Sequence, residues 1–92
     1  MNIASYIESN SLCRWIVRLD KADSAFVYFI LESNEGICFF STLDHEKGQA
    51  YRDLEINCTP EFEGQVQNLF DHLAKNNIEI EFLVSEKVDD KQ

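Results

Sequence analysis

Residues 13–19 read CRWIVRL, in which apolar and polar side chains alternate with the period of two that is typical of a half-buried strand. Arg14 and Arg18 share one face of this strand. Two other alternating stretches, 51–58 and 78–84, carry carboxylates on their polar positions, namely Asp53, Glu55, Glu79 and Glu81. Because opposite charges are favourable cross-strand neighbours, the pattern predicts an antiparallel sheet whose basic strand lies between two acidic strands.

The same charge match predicts a register between stretches 13–19 and 51–58. The expected pairs are Arg14 with Asn57, Ile16 with Glu55 and Arg18 with Asp53, and they place Cys13 opposite Cys58. In a chain without an export signal, three cysteines are expected to be reduced thiols. The facing pair is therefore interpreted as two small core residues, with a redox role as the alternative.

The chain has 92 residues, which is enough for one domain. Its 45% of hydrophobic residues excludes a disordered chain. We assign residues 13–84 to a single α+β domain, 1–12 to an N-terminal extension and 85–92 to a flexible acidic tail.

The charge pattern excludes several classes of partner. A net charge of −9, with the basic residues scattered along the chain, argues against nucleic acid and against anionic membrane surfaces. No stretch is apolar enough to span a membrane, and the first residues do not resemble a secretion signal. We therefore expect a cytoplasmic protein.

The apolar run AFVYFIL at residues 25–31 fits two structures. As a helix, it is capped by Asp20 or Asp23 and presents Phe26, Phe29 and Ile30 on one face. As a strand, it would give an antiparallel meander with a single helix elsewhere in the chain. The carboxylates near its start favour the helix.

A second helix is predicted from the segment Thr59-Pro60-Glu61, which offers a capping hydroxyl, proline at the first helical position and acid in the first turn. Its apolar stripe consists of Phe62, Val66, Leu69, Phe70 and Leu73. Asn76 or Asn77 can end it. The last strand then places Ile78, Ile80, Phe82 and Val84 on its inner face.

With a further strand at 37–43 and a turn containing Gly48, the element order becomes βαββαβ. Right-handed crossovers close this order as a ferredoxin-like sandwich, with a four-stranded antiparallel sheet in the order 4-1-3-2 and two helices on one face. The loop after the first strand lacks the glycines and arginine of a phosphate cradle, and the chain has no Cys-x-x-Cys metal motif. The acidic third strand is likewise unsuited to RNA.

Four polar residues are the candidate ligand-binding set: Glu32, Glu35, Asp44 and His45. Two glutamates near a helix C-terminus are locally unfavourable, so they suggest a bound cation or a partner's basic side chain. The alternative is that all of them are solvated surface residues. We predict no catalytic residue, no metal site and no cofactor, and a small metal-dependent enzyme using these four residues is the competing interpretation.

The first helix is apolar nearly all round, which is typical of a helix buried on more than one side. If Phe26, Phe29 and Ile30 cover the sheet, then Val27, Tyr28 and Leu31 are left for another partner. We therefore predict a homodimer that uses this helix, with these three residues in its interface, or the adjacent sheet edge.

Residues 23–44 resemble a small, uncharacterised bacterial domain family of ferredoxin-like, ACT-like element order. The resemblance is carried by the segments Phe29-Ile30-Leu31-Glu32, Glu35-Gly36-Ile37 and Ser41-Thr42-Leu43-Asp44. This family has no assigned activity, so the resemblance implies a fold but no catalytic residue. The function expected is that of a small regulatory or assembly module that binds a small molecule or a basic protein partner.

Overall fold

The computed structural model describes residues 11–89. The strands are β1 (Ser11–Asp20), β2 (Phe39–Thr42), β3 (Tyr51–Cys58) and β4 (Ile80–Asp89), and the helices are α1 (Ser24–Glu32) and α2 (Glu63–Lys75), each preceded by a short 3-10 turn. The run at 25–31 is thus helical, and the alternative with a strand there is wrong. The first ten residues of the predicted N-terminal extension, and residues 90–92 of the predicted tail, lie outside the described range.

The four strands form one antiparallel sheet in the order β2-β3-β1-β4, which is the predicted order read from the other edge. The predicted register is also confirmed, because β1 pairs with β3 through Arg14–Asn57, Ile16–Glu55, Arg18–Asp53 and Cys13–Cys58. The fold class is therefore α+β. Within residues 11–89, no helix is long and apolar enough to cross a membrane.

The core lies between one face of the sheet and both helices. β1 contributes Cys13, Trp15, Val17 and Leu19, β3 contributes Leu54, Ile56 and Cys58, and the helices contribute Val27, Leu31, Val66, Phe70 and Leu73. Fully burying one such aliphatic or aromatic side chain is worth about 2 kcal/mol. The stripe predicted for α2 is thus largely confirmed, with Phe62 and Leu69 half-buried at its margins.

Helix α1 faces the sheet with a different side from the one predicted. Val27 and Leu31 are each only 1% exposed, whereas Phe26 is 42% and Phe29 63% exposed. Val27 and Leu31 are four residues apart, so they stack on one side of the helix. Tyr28 lies beside them at the sheet edge, where its ring stacks on the ring of Phe40 with 5.9 Å between the ring centres.

A backbone hydrogen bond marks the start of helix α2, and a residue in a left-handed backbone conformation follows its end. The backbone N–H of Phe62 donates to the carbonyl oxygen of Thr59 at 2.9 Å, but the Thr59 hydroxyl does not cap the helix as predicted. Its Oγ1 atom is buried without a hydrogen-bond partner among the described residues. At the other end Asn77 adopts a left-handed conformation with φ of 66°, as the sequence predicted for Asn76 or Asn77.

Strand β4 contains a bulge that changes which side chains face the core. Ile16 pairs with Val84 and Val17 pairs with Phe82, which leaves Leu83 as an extra residue. Val84 therefore lies on the same side as Ile16, and its prediction as an inner residue is wrong. The strand also continues to Asp89, where a flexible tail from residue 85 was predicted.

Candidate functional site

The four residues predicted to bind a ligand lie in two exposed places. Glu32 and Glu35 are at the end of α1, and Asp44 and His45 are in the loop between β2 and β3. No three His, Cys, Asp or Glu side chains among residues 11–89 are close enough to hold a metal ion. The structure therefore does not join these four residues into one metal site.

Two of the three predicted interface residues lie inside the protomer. Val27 and Leu31 belong to the core, so a second copy of the chain cannot contact them without a change of fold. Tyr28 is half-buried, and its hydroxyl accepts a hydrogen bond from Thr42 Oγ1 at 3.1 Å. The large apolar side chains that α1 exposes are Phe26 and Phe29, three residues apart.

The face of the sheet opposite the helices carries paired charges. Arg14 Nε donates to Glu55 at 2.8 Å and Arg14 Nη1 donates to Glu86 at 2.6 Å, so β1 is tied to both neighbouring strands. The bond from Arg14 lowers the pKa of Glu55, and a bond from Asn57 adds to the effect. Arg18 is also paired, because its guanidinium donates two hydrogen bonds to Asp53. These hydrogen bonds raise the pKa of Arg18.

A surface depression of about 1080 Å³ lies where β1 ends and β4 begins. We call it the acidic groove. Four carboxylates line it, from Asp20, Asp23, Glu79 and Glu81, against the single guanidinium of Arg18. Of the four, Asp20 accepts a hydrogen bond from the Ala22 backbone N–H at 2.8 Å.

The acidic groove also has an apolar lining, which comes from Leu19, Ile78 and Ile80 together with two alanines. Leu19 and Ile78 are buried members of the core, so they form the inner part of the lining. A groove that combines apolar walls with carboxylates suits lysine or arginine side chains, because their hydrocarbon stems can lie on the apolar part while their charged ends meet the acids.

The sequence contains a signal for this groove, although none of the four predicted ligand residues lines it. In the predicted strand order, the last strand lies antiparallel beside the first, so the end of one and the start of the other meet at the same edge of the sheet. Asp20 is the last residue of β1 and Asp23 lies in the 3-10 turn that follows, while Glu79 and Glu81 flank Ile80, the first residue of β4. Combining topology with these two acidic pairs would have located the groove.

Comparison with known proteins adds a family but no activity. The model of a family described as a domain of unknown function, DUF4911, matches residues 17–76, which run from β1 to just past the end of α2. No curated protein and no solved structure matches the chain. The match confirms the resemblance to a small family without an assigned function. The chain belongs to the DUF4911 family.

Proposed function

We propose that this protein is a small non-catalytic binding module whose acidic groove receives a basic segment of a partner protein. The observation that carries the proposal is the groove itself, with four carboxylates, one already paired arginine and an apolar lining. The complementary occupant is a chain segment with lysine or arginine side chains. Such binding fits a regulatory or assembly role in the cytoplasm.

The electrostatics of the whole chain support the same partner. A net charge of −9 attracts a basic partner over a distance of about 8–10 Å at physiological salt, and the attraction becomes specific where carboxylates converge in a concave surface. The arginines on the open face of the sheet do not oppose it, because Arg14 and Arg18 are both bound to carboxylates of this chain.

Catalysis has less support from the described residues. His45 and His72 are exposed and lie on separate elements, one in the loop after β2 and one on α2. His72 is 3.5 Å from the Asn76 side chain and has no carboxylate partner among the described ion pairs. Catalytic histidines are commonly oriented by a carboxylate or another hydrogen-bond acceptor, and the described ion pairs include no such carboxylate for either histidine, so a binding role is the better proposal.

The test is the binding of a short lysine- and arginine-rich peptide, measured by fluorescence anisotropy at low and at physiological salt. The double variant Glu79→Gln/Glu81→Gln removes two carboxylates from the acidic groove. We expect it to weaken binding at least tenfold at low salt. The matched control is Glu32→Gln/Glu35→Gln, which removes the same charge from exposed positions outside the groove.

The control should change the affinity by less than threefold. If both double variants weaken binding equally, then only the net charge matters and the groove proposal is wrong. The control also tests two of the ligand residues predicted from the sequence. If Glu32→Gln/Glu35→Gln weakens peptide binding more than Glu79→Gln/Glu81→Gln does, the binding site lies at the end of α1.

We also propose that the module is a homodimer of ferredoxin-like architecture, with Phe26 and Phe29 in the interface in place of Val27 and Leu31. The support is the exposure of two adjacent phenylalanines on one helix face, at 42% and 63%. Light scattering at tens of micromolar should give twice the mass of one chain. Phe26→Ser/Phe29→Ser should give a monomer, whereas Phe39→Ser, at a 68% exposed residue of β2, should remain dimeric.

A further inference from the structure

The three cysteines lie side by side on the core side of the sheet. Cys13 of β1 is directly opposite Cys58 of β3. Cys38 immediately precedes β2, whose first residue, Phe39, pairs with Asn57, so it lies next to Cys58 on the other flank. All three are free thiols, and each is at most 3% exposed.

Cys13 and Cys58 are the two cysteines that lie opposite each other within a regular ladder of the sheet. Directly opposed residues of an antiparallel ladder have Cα atoms about 4.5–5.5 Å apart, and a disulfide requires about 4.4–6.8 Å. Cys13 and Cys58 are the pair at one end of a regular ladder, whose other end is the pair Asp20 and Tyr51. The spacing between the Cα atoms of the two cysteines is therefore well defined. The Cys38 thiol instead faces the carbonyl oxygen of Asn34, at 3.9 Å.

Solvent reaches this pair from the side of Cys13. A small pocket of about 170 Å³ lies beside Cys13, and Cys58 is not part of its lining. The other lining residues are Trp15, Glu63, Ser85, Glu86 and Lys87. One water molecule occupies about 30 Å³ in the liquid, so the pocket has room for a molecule as small as hydrogen peroxide. Cys13 is therefore the thiol that a small reagent meets first.

The charges around the pocket control how readily Cys13 ionises. Burial raises its pKa, the Glu63 carboxylate raises it further, and the Lys87 ammonium acts in the opposite direction. Burial raises the pKa of Cys58 to about 12, with Cys13 as the next cause. Since the thiolate is the reactive form, both thiols are protected at neutral pH and react faster as the pH rises.

We propose that Cys13 and Cys58 form an oxidative modification site, which a small peroxide converts into a cross-strand disulfide. The Cys13 thiolate attacks one oxygen of hydrogen peroxide, the O–O bond breaks, and the departing hydroxide takes a proton to become water. The resulting sulfenic acid is attacked by the Cys58 thiolate, which forms the S–S bond and expels a second hydroxide that becomes water. Two thiols lose two electrons in all, and one peroxide is reduced to two waters.

The experiment treats the native full-length protein with hydrogen peroxide at pH 8, removes the peroxide, and then alkylates the cysteines in denaturant. We expect the number of alkylated cysteines to fall from three to one, with Cys38 as the labelled residue. Peptide mapping should identify a cross-link between Cys13 and Cys58. A dithiol reductant should restore all three thiols.

Three variants define the order of events. Cys38→Ser should still form the disulfide, and Cys58→Ser should stop at a sulfenic acid on Cys13 that dimedone traps. Glu63→Gln removes the carboxylate next to Cys13 and should accelerate the first step severalfold. The proposal fails if three thiols survive in the wild type, if Cys38 is found in the cross-link, or if Cys13 is oxidised irreversibly while Cys58 stays free.

Discussion

The guanidinium carbon of Arg18 lies 3.9 Å from the centre of the Tyr51 ring, so the charge of β1 rests on an aromatic face of β3. The same guanidinium donates to both carboxylate oxygens of Asp53, at 2.9 and 3.0 Å. The arginine side chain is 35% exposed and that of Asp53 is 20% exposed. This geometry is more restrictive than that of a solvated ion pair, because it combines a two-bond fork with stacking.

Arg18→Lys should lower the free energy of unfolding, since lysine keeps the charge but loses the two-hydrogen-bond geometry and the stacking on Tyr51. A double-mutant cycle with Asp53→Asn, followed by urea denaturation, should give a favourable coupling energy between Arg18 and Asp53 that exceeds that of a more exposed ion pair. The control cycle uses Lys87 and Glu63, which are 3.6 Å apart and more exposed. Equal coupling energies in the two cycles would show that the two hydrogen bonds between Arg18 and Asp53 add no stability beyond that of an exposed ion pair.

The orientation of α1 can be tested with two alanine substitutions. Leu31→Ala should lower the free energy of unfolding by about 2–5 kcal/mol, because Leu31 is 1% exposed within the core. Phe29→Ala, at a 63% exposed side chain, should change it by less than about 0.5 kcal/mol at a concentration where the protein is monomeric. Chemical denaturation measures both, and the reverse order would mean that the face expected from the sequence is the inner one.

Thr59→Val should stabilise the protein by about 1 kcal/mol. The Thr59 hydroxyl is buried without a partner in the described range, and valine has a similar shape without the polar atom. Thr42→Val is the matched control, because the Thr42 hydroxyl donates to Tyr28 at 3.1 Å. Thermal or urea unfolding should show a gain for the first variant and none for the second. A loss with Thr59→Val would indicate that a water molecule satisfies this hydroxyl.

The Arg14–Glu55 pair should make stability depend on acid pH. Arg14 holds the pKa of Glu55 below its ordinary value of 4.5, so ionised Glu55 favours the folded state. The contribution is fully present above the ordinary value and is lost as the pH falls through the lowered one. Wild type should therefore be more stable than Glu55→Gln at neutral pH, and urea denaturation should show this difference shrinking below about pH 4.5. A difference that does not change down to about pH 3 would contradict the assignment.

The sheet could be predicted in detail because its charges are informative. The alternation of apolar and polar residues identified the inner and outer faces of β1 and β3. Few pairings of the two arginines with carboxylates keep the apolar residues of both strands on the same face. A shift of one residue would have moved Arg18 away from Asp53 and turned the inner residues toward solvent. The register was therefore specified by pattern alone, down to the pairing of Cys13 with Cys58.

The first helix and the last strand could not be predicted as well, for different reasons. Seven consecutive apolar residues define no unique inner side for α1, so packing against the sheet made the choice. In β4 the residues Ile80, Phe82 and Val84 alternate perfectly, and nothing in that pattern announces the bulge at Leu83. The acidic groove depends on residues that are distant in sequence, so it emerged only when topology was combined with charge.

The irregularity at Leu83 also affects what the outermost strand can do. Among residues 11–89, β4 is an edge strand of the sheet, and the free N–H and C=O groups of an edge strand can recruit another polypeptide into run-on assembly. An extra residue in mid-strand interrupts the even spacing of those groups and increases the local twist, so a foreign strand cannot match them along their whole length. In the part of the chain that the structure describes, the bulge is thus a feature that opposes fibrillar growth at the β4 edge.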